Sequence, residues 1–197
     1  MKRLGVMGGT FNPPHYGHLE AARHVRDALG LDRVLFVPTN LPPHKKLPPH
    51  SATTVQRCEM VALMVRDEPW AGLSTIEVDR GGASYTVETL RQLAGEGNAL
   101  ALIVGTDMLM TFERWREPEE ICRLATLVAV AREEDDRAAL RRQATRLRER
   151  FGADVRLIDC PALPVSSTQL REGRSFEGLT PPAVAAYIAA HHLYARH

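Results

Sequence analysis

The sequence predicts an α/β fold: a Rossmann-like, doubly wound parallel sheet of about five core strands in a three-layer αβα arrangement. Short apolar runs alternate with longer amphipathic segments along the whole chain, the pattern of strand–helix–strand units whose sheet is covered on both faces. The runs at 100–104 and 127–131 are continuously apolar, as strands buried on both faces must be. The first apolar run ends in Gly8-Gly9, glycines that let the backbone turn tightly between a strand and the helix after it.

Taken in order, residues 4–7 form a strand, and 17–29 a helix with Leu19, Ala22, Val25, Ala28 and Leu29 on one face. Residues 33–37 make the next strand, stopped by Pro38, and a proline-rich loop fills 39–50; loops of this length commonly carry function. Residues 53–65 are helical, with Thr53 and Gln56 spaced as a capping box. Leu73, Ile76 and Val78 alternate with polar residues, so 73–78 reads as strand-like before the turn at Arg80-Gly81-Gly82. A helix at 84–93 precedes the strand at 100–104, which ends at Gly105. A short helix at 118–124 has Pro in its first turn. The strand at 127–131, a charged helix at 135–151 and a strand at 155–158 follow. A helix start at 166–171 and a last helix at 180–192, with Thr180 as cap and Pro181 at its first position, complete the chain.

The 197 residues, 44% hydrophobic, are enough for one well-buried domain. The expectation is a single domain over 1–197, with the helical segment from about 166 to 197 packed on it. A formal net charge of +1 argues against a dedicated nucleic-acid binder, which carries a basic excess. The arginines between 141 and 150 read as a solvated helix face. Cys58, Cys122 and Cys160 are odd in number and far apart, giving neither a disulfide framework nor a metal pair and fitting a reducing compartment. Met1-Lys2-Arg3 is followed by too short an apolar stretch for a signal peptide, and no run approaches the ~18 apolar residues of a membrane span. The expectation is a soluble cytoplasmic protein.

Six segments carry chemistry. In Gly8-Gly9-Thr10-Phe11-Asn12-Pro13-Pro14-His15-Tyr16-Gly17-His18, glycines allow close backbone approach to phosphate, and a helix start offers unpaired N–H groups. His15 and His18, three apart, can face one ligand. The glycine spacing is not that of a dinucleotide fingerprint, no Gly-Lys-Ser/Thr of a P-loop follows, and His-x-x-His lacks the partners of a zinc site. Ser166-Ser167-Thr168-Gln169-Leu170-Arg171 combines a possible capping box with hydroxyls and a forked cation; alone it is also compatible with an ordinary capped helix. Gly105-Thr106-Asp107 follows a buried strand, where an Asp can accept from ribose hydroxyls or simply serve as a cap. On the remaining side stand the basic loop from Thr39-Asn40 to His44-Lys45-Lys46, the helix start Ser84-Tyr85-Thr86, and Trp115 in Phe112-Glu113-Arg114-Trp115-Arg116. These offer groups for an anion, a carboxylate and an aromatic ring respectively.

The first of these segments resembles the signature of the nucleotidylyltransferase superfamily, whose core is His-x-Gly-His, and its full form is similar to that of bacterial nicotinate-nucleotide adenylyltransferases. Ser166 to Arg171 matches the family's Ser-Ser-Thr-x-Ile/Leu-Arg, and the motifs stand in family order from Leu4 to Arg171. The resemblance implies adenylyl transfer from ATP to nicotinate mononucleotide, with His15, His18 and Arg171 catalytic. It implies that Gly8, Gly9, Thr10, Phe11, Gly105, Asp107, Arg132, Ser166, Ser167 and Thr168 contact ATP. For the acceptor it points to Asn40, His44, Lys45, Thr86 and Trp115, and it implies Mg²⁺ held mainly by the ATP phosphates, with no protein metal site. Two departures are visible. Arg116 stands where the family usually has an aromatic or His, and Glu133-Glu134-Asp135 follows Arg132 in place of Pro-Gly. Rival readings are the same chemistry on nicotinamide mononucleotide or phosphopantetheine, and a nucleotide-sensing protein without catalysis; the intact His15, His18 and Ser166 to Arg171 disfavour the last.

Overall fold

The computed structural model describes residues 1–43, 47–131, 136–161 and 164–194. Its sheet has six strands in the order β3-β2-β1-β4-β5-β6: β1 Arg3–Gly9, β2 Arg33–Pro38, β3 Ala71–Leu73, β4 Ala99–Gly105, β5 Ala125–Ala131 and β6 Val155–Asp159. The pairs β1/β4, β4/β5 and β5/β6 are parallel, with Leu4 opposite Leu100 and Leu127 opposite both Leu102 and Val155. The order reverses between β1 and β4, which makes the sheet doubly wound; in such sheets ligands bind beyond the carboxyl ends of the strands at the reversal. The helices are α1 Tyr16–Leu29, α2 Thr54–Val65, α3 Ile76–Arg80, α4 Thr86–Gly95, α5 Thr106–Met110, α6 Pro118–Leu124, α7 Asp136–Phe151, α8 Ser167–Arg171 and α9 Pro182–Ala190.

Three details differ from the sequence reading. The sheet has six strands where about five were expected, the short β3 among them. The alternating segment 73–78 is not a strand: β3 ends at Leu73 and α3 begins at Ile76. A period of two over six residues is short enough to be overridden locally; the Thr75 hydroxyl donates to Asp79 Oδ2 (2.7 Å), and Gly81, at φ +73, closes the turn with its N–H on Val78 O. Finally, Pro181 is the N-cap of α9 and Pro182 its first residue, while Thr180 is buried and its hydroxyl donates to Phe176 O (3.3 Å).

Two compact units make up the chain. The first comprises Met1–Gly8, Ala21–Leu35 and Tyr85–Ala162. Its centre is the pair β4 and β5, where Leu102, Ile103, Leu127 and Val128 are essentially inaccessible, covered by α4, α5, α6 and α7. Burial of each such side chain contributes about 1.5–3 kcal/mol. A Cβ on Gly5 would lie 3.0 Å from Leu31 Cδ1 and from Val34 Cγ2, which explains a glycine in the middle of β1. The second unit comprises Gly9–Glu20, Phe36–Ser84 and Leu163–His197. Its core is α2 against β3 and α9, with Met60, Val61, Val184 and Ile188 buried. The expected capping box starts α2: Thr53 Oγ1 accepts from Gln56 N, and Thr53 N donates to Gln56 Oε1. No helix among the described residues is long and apolar enough to cross a membrane.

Candidate active site

The segment leaving β1 is held in an unusual backbone conformation. Gly9 O accepts from Thr39 N (2.9 Å), and Phe11 sits at φ +48 with its ring 1% exposed. A non-glycine residue in that region is strained and persists only when its surroundings fix it. They do so here, for the Phe11 ring packs edge-on against Phe36 (5.9 Å) and His18 (5.0 Å). Phe11, expected to contact ATP, has its side chain buried against His18 and Phe36, while Gly8, Gly9 and Thr10 are half-buried.

His15 and His18 come together as their spacing suggested. Their ring centroids are 3.8 Å apart and tilted by 33°, with His15 buried and His18 half-buried. His18 Nδ1 accepts from the His15 backbone N–H (3.3 Å), so in the neutral ring the proton lies on Nε2. Gly17 is required between them, because a Cβ there would lie 2.9 Å from His15 Nδ1.

The C-terminal motif reaches this same segment. Ser166 caps α8 and forms the expected box with Gln169. The Ser167 hydroxyl donates to Pro13 O (2.8 Å), and Arg171 donates to Asn12 O (2.6 Å) and to the Thr168 hydroxyl (3.1 Å). The tail adds more. Tyr16 N donates to Leu179 O (3.0 Å), and the Tyr194 hydroxyl donates to Asn12 Oδ1 (2.6 Å). The same oxygen accepts from Ala52 N (3.3 Å), and Asn12 Nδ2 donates to Ser51 Oγ (2.8 Å). Burial pushes the Tyr194 phenol pKa well up, opposed by the charges of Arg171 and Arg57, so the hydroxyl stays a donor.

Asn40 is fixed next to these residues in the same unit. Its N–H donates to Ser84 Oγ (2.9 Å), its side-chain amide to Gly82 O (3.0 Å), and its carbonyl accepts from Arg57 (3.3 Å). Arg57, 0% exposed, also donates to Thr10 O (2.8 Å) and to Thr54 Oγ1 (2.9 Å).

The first unit holds the other expected residues. Gly105 is the N-cap of α5, so Asp107 lies in the first turn with its side chain exposed and is not the cap. Thr86 is the first residue of α4. Half-buried Trp115 packs on Phe112 at 5.3 Å. Arg116, the departure from the family pattern, lies 4.5 Å over the Tyr85 ring and pairs with Glu88 (3.2 Å) and Glu117 (3.6 Å). A guanidinium can stack on an aromatic face, and Arg116 does so on Tyr85, the residue directly before Thr86. His44, Lys45 and Arg132 lie outside the described residues.

Among the described residues the second unit supplies cationic and N–H donors, from Arg57, Arg171 and the start of α8. Among the described residues no group of three or more His, Cys, Asp or Glu side chains could hold a metal ion. The residues that sequence reasoning left unassigned are Asn12, Ser51, Arg57 and Tyr194. Arg57 had a visible signal: it occupies the position of α2 that shares a face with Met60, Val61 and Met64, where a charge is unexpected. Tyr194 had none.

Comparison with known proteins gives a consistent result. Residues 6–173 match the cytidylyltransferase-like family. The chain is 42% identical over 202 residues to a protein of Symbiobacterium thermophilum named "Probable nicotinate-nucleotide adenylyltransferase", with 100% of this chain and 97% of that one covered. It is 44% identical over 198 residues to a protein of the same name from Roseiflexus, covering 97% of each. In fold it is similar to the Plasmodium falciparum nicotinic acid mononucleotide adenylyltransferase complexed with NaAD, with TM-score 0.77, 16% identity and 98% of both chains covered.

Proposed function

The chain belongs to the nicotinate-nucleotide adenylyltransferases of the cytidylyltransferase-like family, and on that premise we propose that it transfers AMP from ATP to nicotinate mononucleotide in NAD biosynthesis, giving nicotinate adenine dinucleotide and pyrophosphate. A phosphate oxygen of the mononucleotide attacks the α-phosphorus of ATP, and the bond to the β-phosphate oxygen breaks as pyrophosphate leaves. The nucleophile is already ionised at neutral pH, so no general base is needed. Catalysis then rests on positioning and charge stabilisation.

In this reading His15, His18 and Arg171 hold the triphosphate, with Ser166, Ser167 and Thr168 at the start of α8 and the backbone of Gly8 to Phe11 beside them. The observation that carries it is the direct joining of two motifs far apart in sequence, through Arg171 to Asn12 O and Ser167 to Pro13 O. His18 Nε2, which carries the proton of the neutral ring when Nδ1 accepts from His15 N, is a donor of the kind a phosphate oxygen takes. Gly105, Asp107 and Arg132 are assigned to the adenosine side of ATP, and Asn40, His44, Lys45, Thr86 and Trp115 to the acceptor. Mg²⁺ bound to the triphosphate and water would supply charge neutralisation for the leaving group. None of the three cysteines is in a disulfide, which supports the cytoplasm as the place of work.

The test is pyrophosphate release from ATP and Mg²⁺ with nicotinate mononucleotide, nicotinamide mononucleotide or phosphopantetheine as acceptor. The expected result is turnover highest with nicotinate mononucleotide. Turnover with phosphopantetheine alone, or ATP binding without turnover, overturns the assignment. His18→Ala is expected to lower kcat on the order of 10²–10³-fold, the usual effect of removing one transition-state donor, with little change in acceptor binding.

A further inference from the structure

Arg57 is fully buried on α2, yet all its hydrogen bonds go to neutral oxygens: Thr10 O, Asn40 O and Thr54 Oγ1. Its Nε has no partner among the described residues. Burying a cation without a carboxylate is costly, and burial pulls the Arg57 pKa below its ordinary value. An apolar residue would serve the packing of this helix face equally well. What the guanidinium alone provides is a rigid fork whose two arms reach two different loops. One arm holds the segment that leads from Gly9 through Thr10 to His15. The other holds the carbonyl of Asn40, whose own N–H and amide are tied to Ser84 and Gly82.

We propose that Arg57 is a positioning residue for adenylyl transfer, fixing the loop that carries His15 and His18 relative to the acceptor loop that starts at Asn40. The proposal rests on the assignment of these two loops to ATP and to nicotinate mononucleotide. In-line transfer needs the reacting atoms about 3–3.5 Å apart, and a misplacement of about 1 Å costs on the order of 10²-fold in rate. One forked cation spanning both loops sets that separation. Fully buried, it acts through the two loops.

Arg57→Lys keeps the charge but replaces the fork with a single ammonium, and Arg57→Met keeps the volume without charge. Both are to be compared with the wild-type full chain by steady-state pyrophosphate release with ATP and nicotinate mononucleotide varied, by thermal melting, and by hydrogen exchange at the Thr39 and Asn40 amides. For Arg57→Lys the expected result is a folded protein with kcat lowered tenfold or more, KM for each substrate within threefold of wild type, and faster exchange at both amides. Wild-type kcat in either folded variant overturns the proposal. So does a loss of rate that only follows the folded fraction, or failure of both variants to fold, since each of these marks a purely structural role. A wild-type chain inactive on nicotinate mononucleotide overturns the assigned reaction instead; unaltered exchange in Arg57→Lys would then still dismiss the loop-spanning role.

Discussion

Replacing Gly17 by Ala tests whether the separation of His15 and His18 is what matters for turnover. An ideal Cβ at Gly17 lies 2.9 Å from His15 Nδ1, 3.0 Å from His15 Cε1 and 3.2 Å from Val165 Cγ1. Unstrained contacts between such atoms lie near 3.5–4.0 Å, so the ring must withdraw by roughly half an ångström. It has little room to do so, being 2% exposed and 3.8 Å from the His18 ring. Overpacking of this kind costs about 1–3 kcal/mol. Ala in a helix is favoured over Gly by about 1 kcal/mol, so the net loss of stability is roughly 0–2 kcal/mol. At about 2–4 °C per kcal/mol for a chain of this size, melting falls by no more than about 8 °C. If His15 holds the triphosphate as proposed, the rate responds more steeply, because sub-ångström displacement of such a donor is expected to lower kcat on the order of 10- to 100-fold. Melting followed by calorimetry and pyrophosphate release measured well below the transition separate the two effects. A kcat within twofold of wild type would refute the view that Gly17 exists to seat the His15 ring.

Tyr194→Phe removes the hydrogen bond to Asn12 Oδ1 and leaves that oxygen, among the described residues, Ala52 N at 3.3 Å. The expected loss is about 0.5–1.5 kcal/mol, read as a lower melting temperature; an unchanged melt removes the tail from the support of the loop. Acid exposes a second group of contacts. Hydrogen bonding to Arg123, with help from Arg91, holds the Glu120 carboxyl at about 2 against its ordinary 4.5, and Arg91 likewise depresses Glu117. A depressed carboxylate pKa contributes stability that is fully present above the unfolded value and is lost as pH falls through the folded one. The melting temperature should therefore decline between pH 4.5 and about 2, less steeply in Glu120→Gln and less at high salt, since these pairs are exposed and screened. An identical acid profile in Glu120→Gln dismisses this cluster as a contributor.

The local grammar of the chain was legible in the amino-acid sequence. Both capping boxes, Thr53 with Gln56 and Ser166 with Gln169, are formed, because each needs only residues three apart. The stacking of His15 on His18 is local in the same sense, set by one helical turn and the absent Cβ of Gly17. The alternation of strands and helices, and with it the doubly wound sheet, follows from hydrophobic runs short enough to read one at a time. The alternation at 73–78 read as strand-like, yet the chain is helical from Ile76; six residues are too few for a period to decide, and the Thr75 hydroxyl bonds to Asp79 within that helical turn. What only the tertiary structure decided depends on the chain returning to itself. Arg57 reaches back to Thr10, Arg171 to Asn12 O, and Tyr194 to Asn12 Oδ1. No periodicity encodes those meetings, because which carbonyl a buried guanidinium finds is fixed by the packing of α2, α8 and the tail together, and not by the residues beside it.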